Sequence, residues 1–191
     1  MNSQVRSSTS AWKAGLGAGL LGLSLAVYAS LQPGSKAPDF TTQASLGGKV
    51  FSFSLAAALK QGPVVLYFYP AAFTKGCTVE AHEFAEATDR FKALGATVIG
   101  ISHDDIDTLN KFSVSECRSK FAVAADPDLS ISKAYDAKLF LIGRSDRTSY
   151  VIAPDGTVIY TYSALSPDAH VRNTMDALEK WKTQQQAKPG G

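Results

Sequence analysis

Residues 63–84 read PVVLYFYPAAFTKGCTVEAHEF, and the fold turns on this stretch. Pro63 introduces Val64-Val65-Leu66-Tyr67-Phe68-Tyr69, a near-continuous apolar run, which is how a strand buried on both faces reads. Pro70 stops it. After a loop, Phe84, Ala87, Phe91 and Leu94 recur at helical spacing, and Gly95 supplies a C-terminal stop.

Outward from this unit, Ala96–Ser102 (ATVIGIS) predicts a second buried strand, and Ile106, Leu109, Ser113 and Cys117 fall on one helical stripe. Phe121–Ala125 reads as a short third strand, closed by the turn Asp126-Pro127-Asp128 and a short helix toward Tyr135. Tyr150-Val151-Ile152, Pro154-Asp155-Gly156 and Val158-Ile159-Tyr160 form a strand, turn and strand, hence a hairpin. Ser166-Pro167 caps and starts a last helix with Val171, Met175, Leu178 and Trp181 on its apolar face. Upstream, Val50, Phe51 and Phe53 with Leu55 give a short strand-like start. This order predicts an α/β domain with a central mixed β-sheet and helices on both faces, the order of a thioredoxin-like sandwich. No internal repeat appears, residues 30–191 read as one domain, and the tail QQQAKPGG is expected to fray.

The composition is that of a globular protein: 191 residues, 45% hydrophobic and 19% charged. Its 19 Lys+Arg and 17 Asp+Glu give a formal charge of +2, but Arg6 and Lys13 are the only charges before residue 30, so the body is neutral. A neutral body without a basic run gives no electrostatic reason to expect nucleic acid. Residues 1–13 are polar and basic, and Ala14–Ala29 carry no charge, the pattern of a secretory signal peptide. Val27-Tyr28-Ala29 suggests cleavage before Ser30. The competing reading is a retained membrane anchor, because the uncharged stretch runs on to Ser35. Either way the domain is expected to be exported, to a bacterial periplasm or, alternatively, to an organellar lumen, with a membrane as partner only if residues 1–29 are retained. The G-x-G-x-x-G match at Gly17–Gly22 follows no strand and lies inside this leader, so it is no phosphate loop.

Two cysteines exclude a disulfide-stapled scaffold and a four-thiolate zinc site, leaving buried filler, one bridge or a redox pair. Cys77 is placed at or near the start of the helix that carries Phe84 and Phe91. There a thiol meets unpaired backbone N–H groups and the positive dipole end, which favour thiolate and so make a nucleophile. Thr74, three residues earlier, can aim a hydroxyl at the sulfur or at an oxygen approaching it. Pro70 lacks an N–H and makes a rigid wall.

Pro70-Ala71-Ala72-Phe73-Thr74-Lys75-Gly76-Cys77 is thus P-x-x-x-T-x-x-C after a strand. With KAPDF, the ADPD turn and RTSYVIAPDG, it resembles the peroxiredoxins, most closely the bacterioferritin-comigratory-protein (PrxQ) branch, over about residues 34–180. The resemblance implies a thioredoxin-like fold and thiol-dependent reduction of hydrogen peroxide or organic hydroperoxides; no cofactor is expected, and the scattered histidines predict no metal. It implies Cys77 as the peroxidatic cysteine, Thr74 as a hydrogen-bond partner of thiolate and peroxide, Pro70 as a shield and Arg147 as support for the thiolate. The reductant it implies is thioredoxin-like or another thiol. The branch often carries its resolving cysteine five residues after the peroxidatic one, where this chain has His82; Cys117 resembles the resolving cysteine that some members hold further along. A Cys77–Cys117 bridge would need local unwinding of both helix segments. Lys75 and Ala153 replace the frequent proline and aspartate with little consequence.

Plainer readings stand beside these. Cys117 shares a stripe with Ile106 and Leu109 and could be inert filler. Arg147 could pair with Asp146 or another acid at the surface, and Arg144 is a nearby rival. His82, His103 and His170 lack metal-site spacing and read as surface or capping residues. Glu80 and Glu83 read as complements to a helix dipole. Tyr67, Phe68, Tyr69 and Phe73 read as core, with Tyr69 or Phe73 able to line a pocket. Cys77-Thr78-Val79-Glu80 lacks the second cysteine of C-x-x-C, which disfavours a disulfide oxidoreductase. A non-catalytic redox sensor would differ by slow reaction with peroxide.

Overall fold

The computed structural model describes Met1, residues 30–139 and residues 142–187. The leader or anchor expected over residues 1–29 lies, apart from Met1, outside the described residues. No helix among the described residues is long and apolar enough to cross a membrane. In chain order the elements are β1 (Thr41–Leu46), β2 (Lys49–Ser54), α1 (Leu55–Leu59), β3 (Val64–Phe68), α2 (Lys75–Ala93), β4 (Thr97–Ser102) and α3 (Ile106–Ser115). There follow β5 (Ala122–Ala125), α4 (Ser130–Ala134), β6 (Lys138–Leu139), β7 (Arg144–Ser145), β8 (Thr148–Ile152), β9 (Val158–Ser163) and α5 (His170–Ala187).

Seven strands form one mixed sheet in the order β2-β1-β5-β4-β3-β8-β9. All five residues of β3 are buried, and their period-two alternation feeds two cores. Val65 and Tyr67 pack with Phe84 and Phe91 of α2, Phe112 of α3 and Leu178 of α5. Val64, Leu66 and Phe68 pack on the other face with Leu55 of α1, Ile131 of α4, Tyr135 and Tyr150. The sheet therefore separates α2, α3 and α5 from α1 and α4, and the thioredoxin-like sandwich expected from the sequence is what the chain forms. Gly100 of β4 allows one close approach in this core: a Cβ there would lie 2.6 Å from the Tyr67 ring.

Several local expectations are corrected. β1 has no apolar run, and only Ala44 and Ser45 of it are buried, so periodicity gave no sign of it. Leu55 does not end the strand before it but opens α1, where Ser54 accepts a cap bond from the Ala57 N–H at 3.3 Å. Ser166-Pro167 lies in the turn before α5, which starts at His170, and Gln184–Ala187 of the tail are helical. Residues 188–191 lie outside the described residues. Cys117 sits just beyond α3, whose C-cap is Glu116, rather than on its stripe. Phe73 is no core residue, being 49% exposed.

Candidate active site

Strand register brings three segments to one end of the sheet. Phe68, the last residue of β3, lies opposite Ile101 of β4 and Thr148 of β8. Because β4 is parallel and β8 antiparallel to β3, the segment after β3, the segment after β4 and the segment before β8 emerge together. Those segments carry Pro70–Thr74, Asp104 and Arg147.

The loop from Pro70 to Thr74 is held from below. Tyr69 donates its N–H to the Ile101 carbonyl at 3.0 Å, and Pro70, half-buried, ends the pairing. Asp104 Oδ2 accepts from the Ala72 N–H and from Ser102 Oγ, both at 2.7 Å. Phe73 takes a left-handed φ of 62° and sets its ring edge-on to Phe112, with centroids 5.1 Å apart. A bulky residue in that region is uncommon and signals a loop held by its surroundings. Thr74 then N-caps α2 with extended backbone, but its hydroxyl donates to the Ala71 carbonyl at 3.0 Å instead of bonding a helix N–H or the sulfur. Its lone pairs remain free to accept.

Cys77 occupies the first turn of α2 and is 2% exposed. Facing it, the Arg147 guanidinium donates from Nη2 to Cys77 Sγ at 3.3 Å, from Nε to the Leu165 carbonyl at 2.8 Å, and from Nη1 to Glu80 Oε2. Arg147 is thus buried, not a surface ion pair, and Arg144 at the exposed end of β7 is no rival. Gly76 makes room for it: a Cβ at that position would lie 3.2 Å from Nη2.

Glu80 is the feature that sequence reading missed. It is fully buried, and burial pushes its carboxyl up to about 8 against the opposing pull of Arg147. Its other oxygen faces His170 Nδ1 at 3.8 Å. His170, expected at the surface or as a cap, is fully buried; it bonds Ser149 Oγ at 2.8 Å and the Ala164 carbonyl at 2.9 Å, and burial lowers its titration point. The usable signal for Glu80 was phase, since position 80 keeps helical spacing with Cys77, Phe84 and Phe91 on the buried side. Asp104 was also missed, because an aspartate in the acidic stretch Asp104–Asp107 after a strand reads as a helix start.

Cys117 lies in the same core layer as Cys77, and both thiols are free. Burial raises the Cys117 thiol well above its ordinary value, which keeps it protonated and inert where it stands. No group of three or more His, Cys, Asp or Glu side chains that could hold a metal occurs among the described residues.

A thioredoxin-like fold presenting one buried thiol to a buried guanidinium, on the first turn of a helix, defines a thiol-redox protein. The AhpC/TSA family model matches residues 33–161, and the chain belongs to the AhpC/TSA family of peroxiredoxins. It is 34% identical over 155 residues to the chloroplastic peroxiredoxin Q of Oryza sativa subsp. japonica, covering 80% of this chain and 69% of the relative. Its fold superposes on the crystal structure of peroxidoxin BcpB from Mycobacterium tuberculosis with a TM-score of 0.72 and 30% identity, over 78% of this chain and 97% of that one. The reduced 2-Cys peroxiredoxin of Plasmodium vivax matches with a TM-score of 0.69 and 27% identity, over 80% and 84% of the two chains.

Proposed function

We propose that the chain is a thiol-dependent peroxidase acting on hydrogen peroxide and organic hydroperoxides through Cys77. The observation that carries this reading is the contact between Arg147 Nη2 and Cys77 Sγ on the first turn of α2. The Cys77 thiolate attacks one peroxide oxygen in line with the O–O bond; the S–O bond forms as the O–O bond breaks, and hydroxide or alkoxide leaves and takes a proton from solvent to become water or an alcohol. Arg147 and the N–H groups of the helix start are preorganised donors for the charge that moves during this step. A guanidinium suits the task because it stays charged at any working pH and offers several donors in a fixed plane. Thr74, with its hydrogen committed to Ala71, is oriented to accept a hydrogen bond from the peroxide O–H, and Pro70 walls the loop. Glu80 holds the Arg147 fork in place.

Cys77 is left as a sulfenic acid. Cys117 then attacks its sulfur, giving a Cys77–Cys117 disulfide and water, and a thioredoxin-like dithiol or another thiol reduces the bridge. Residues 1–29 act as a cleaved signal or a retained anchor that carries the 30–191 domain to the periplasm or an organellar lumen; the chloroplastic location in the names of the plant relatives favours a compartment outside the cytosol. Cys77→Ser is expected to abolish peroxide turnover, and steady turnover in that variant overturns the assignment. N-terminal sequencing of the mature protein from its own cells tests the leader, with Ser30 expected as the first residue.

A further inference from the structure

The segment that carries Cys117 is tied to α2 by a regular ladder of polar contacts. His82 Nε2 meets Glu116 Oε2 at 2.8 Å, Arg118 Nη1 meets Glu86 Oε1 at 3.1 Å, and Lys120 Nζ meets Asp89 Oδ2 at 3.2 Å. On α2 these partners are spaced by four and three residues, so they share one face, and on the other side they are alternate residues bracketing Cys117. The segment so tied is conformationally unfavourable. Arg118 and Ser119 are consecutive left-handed residues with φ of 49° and 55°, a region that residues with a Cβ disfavour, although Ser119 still donates its N–H to the Ser113 carbonyl at 2.9 Å. Cys117 itself is fully buried and its backbone is bonded to Phe112 and Lys120. The turn thus combines conformational strain, a buried cysteine and contacts on one side, two of them exposed and the His82–Glu116 pair partly buried.

We propose that this ladder is a latch on Cys117, and that His82, Glu86 and Asp89 are positioning residues that set how fast Cys117 is released to attack oxidised Cys77. The inference rests on the reading of Cys117 as the resolving thiol. In the step concerned, the Cys117 sulfur bonds to the Cys77 sulfur, the S–O bond of the sulfenic acid breaks, and the hydroxide leaves as water with the Cys117 proton. No oxidant beyond the first peroxide is needed. Release also brings the thiol to water, which removes the burial that keeps it protonated. Slow release leaves the sulfenic acid exposed to a second peroxide and to conversion to sulfinic acid.

The test uses the full chain with one equivalent of hydrogen peroxide, rapid quenching, intact mass and peptide mapping, applied to Glu86→Arg, Arg118→Glu and the double charge swap. Sulfenic acid formation at Cys77 should be unchanged in all three, while the disulfide forms about twofold to fivefold faster in each single variant, the range open to one exposed pair. The swap should return the rate to that of the unaltered chain, which a merely disturbed surface would not do. High salt should speed the unaltered chain and the double swap more than either single variant. Equal disulfide rates in all four proteins overturn the latch and leave Cys117 as resolving thiol. Absence of any Cys77–Cys117 peptide from the unaltered chain overturns the resolving role and the latch with it.

Discussion

Arg147 Nη2 donates to Cys77 Sγ at 3.3 Å, across 70 residues of sequence, because β8 begins where β3 ends and α2 starts above that junction. The guanidinium is fixed at its other corners by the Leu165 carbonyl and by Glu80, so its direction toward the sulfur is set before any peroxide arrives. That is the arrangement electrostatic catalysis requires.

Replacing Arg147 by Gln is therefore expected to slow the oxidation of Cys77 by roughly 10²-fold or more, the usual effect of removing one preorganised donor. Stopped-flow measurement of the peroxide reaction checks it, and a rate within about twofold of the unaltered protein would remove Arg147 from the mechanism.

Glu80 makes stability depend on pH. In the unfolded chain its carboxyl titrates near 4.5, and in the folded protein near 8. Between these values the folded state holds a proton that the unfolded chain has lost, so stability falls as pH rises through the window. His170 works in the opposite direction but only below its ordinary 6.5, where the unfolded chain takes up a proton that the buried ring resists. From pH 6.5 to 7.5, Glu80→Gln should thus flatten the slope of unfolding free energy by up to about 1.4 kcal/mol per pH unit. Urea titrations at these two pH values measure it; parallel slopes in the two proteins contradict the buried carboxyl.

Two glycines have steric reasons that substitution exposes. Gly76→Ala places a Cβ 3.2 Å from Arg147 Nη2, so peroxide reactivity should fall while stability changes little. Gly100→Ala drives a Cβ to within 2.6 Å of the buried Tyr67 ring, and should cost about 1–3 kcal/mol of stability. Chemical denaturation and stopped-flow kinetics on both variants separate the two effects.

Cys117→Ser should leave the first oxidation of Cys77 intact, arrest the protein as sulfenic acid and raise its conversion to sulfinic acid under excess peroxide. Unchanged steady turnover in this variant removes Cys117 from the cycle.

The sequence showed the fold where periodicity was strong and missed it where polar packing decided. Val64–Tyr69 and the stripe through Phe84 and Phe91 each point to one structure, and both cores form on them. β1 escaped notice because it is paired and polar, with Thr42 and Ser45 bonded to neighbours instead of an apolar face packed. The Pro70, Thr74 and Cys77 pattern was legible because it is local. Glu80 and His170 were not, because a buried polar group is recognised only by its partner, and theirs are Arg147 and Ser149, 67 and 21 residues away in sequence. Cys117 was placed on a helical stripe by spacing alone, but α3 ends at Ser115 and two left-handed residues turn the chain just after it.

In the proposed reaction Cys77 Sγ is the atom that meets peroxide. Intact mass and non-reducing peptide mapping of the 30–191 domain within seconds of one equivalent of hydrogen peroxide test it most directly. The account predicts rapid loss of two hydrogens and a linked Cys77–Cys117 peptide, with one added oxygen at Cys77 as the fleeting precursor. No change at Cys77 on that timescale would contradict it.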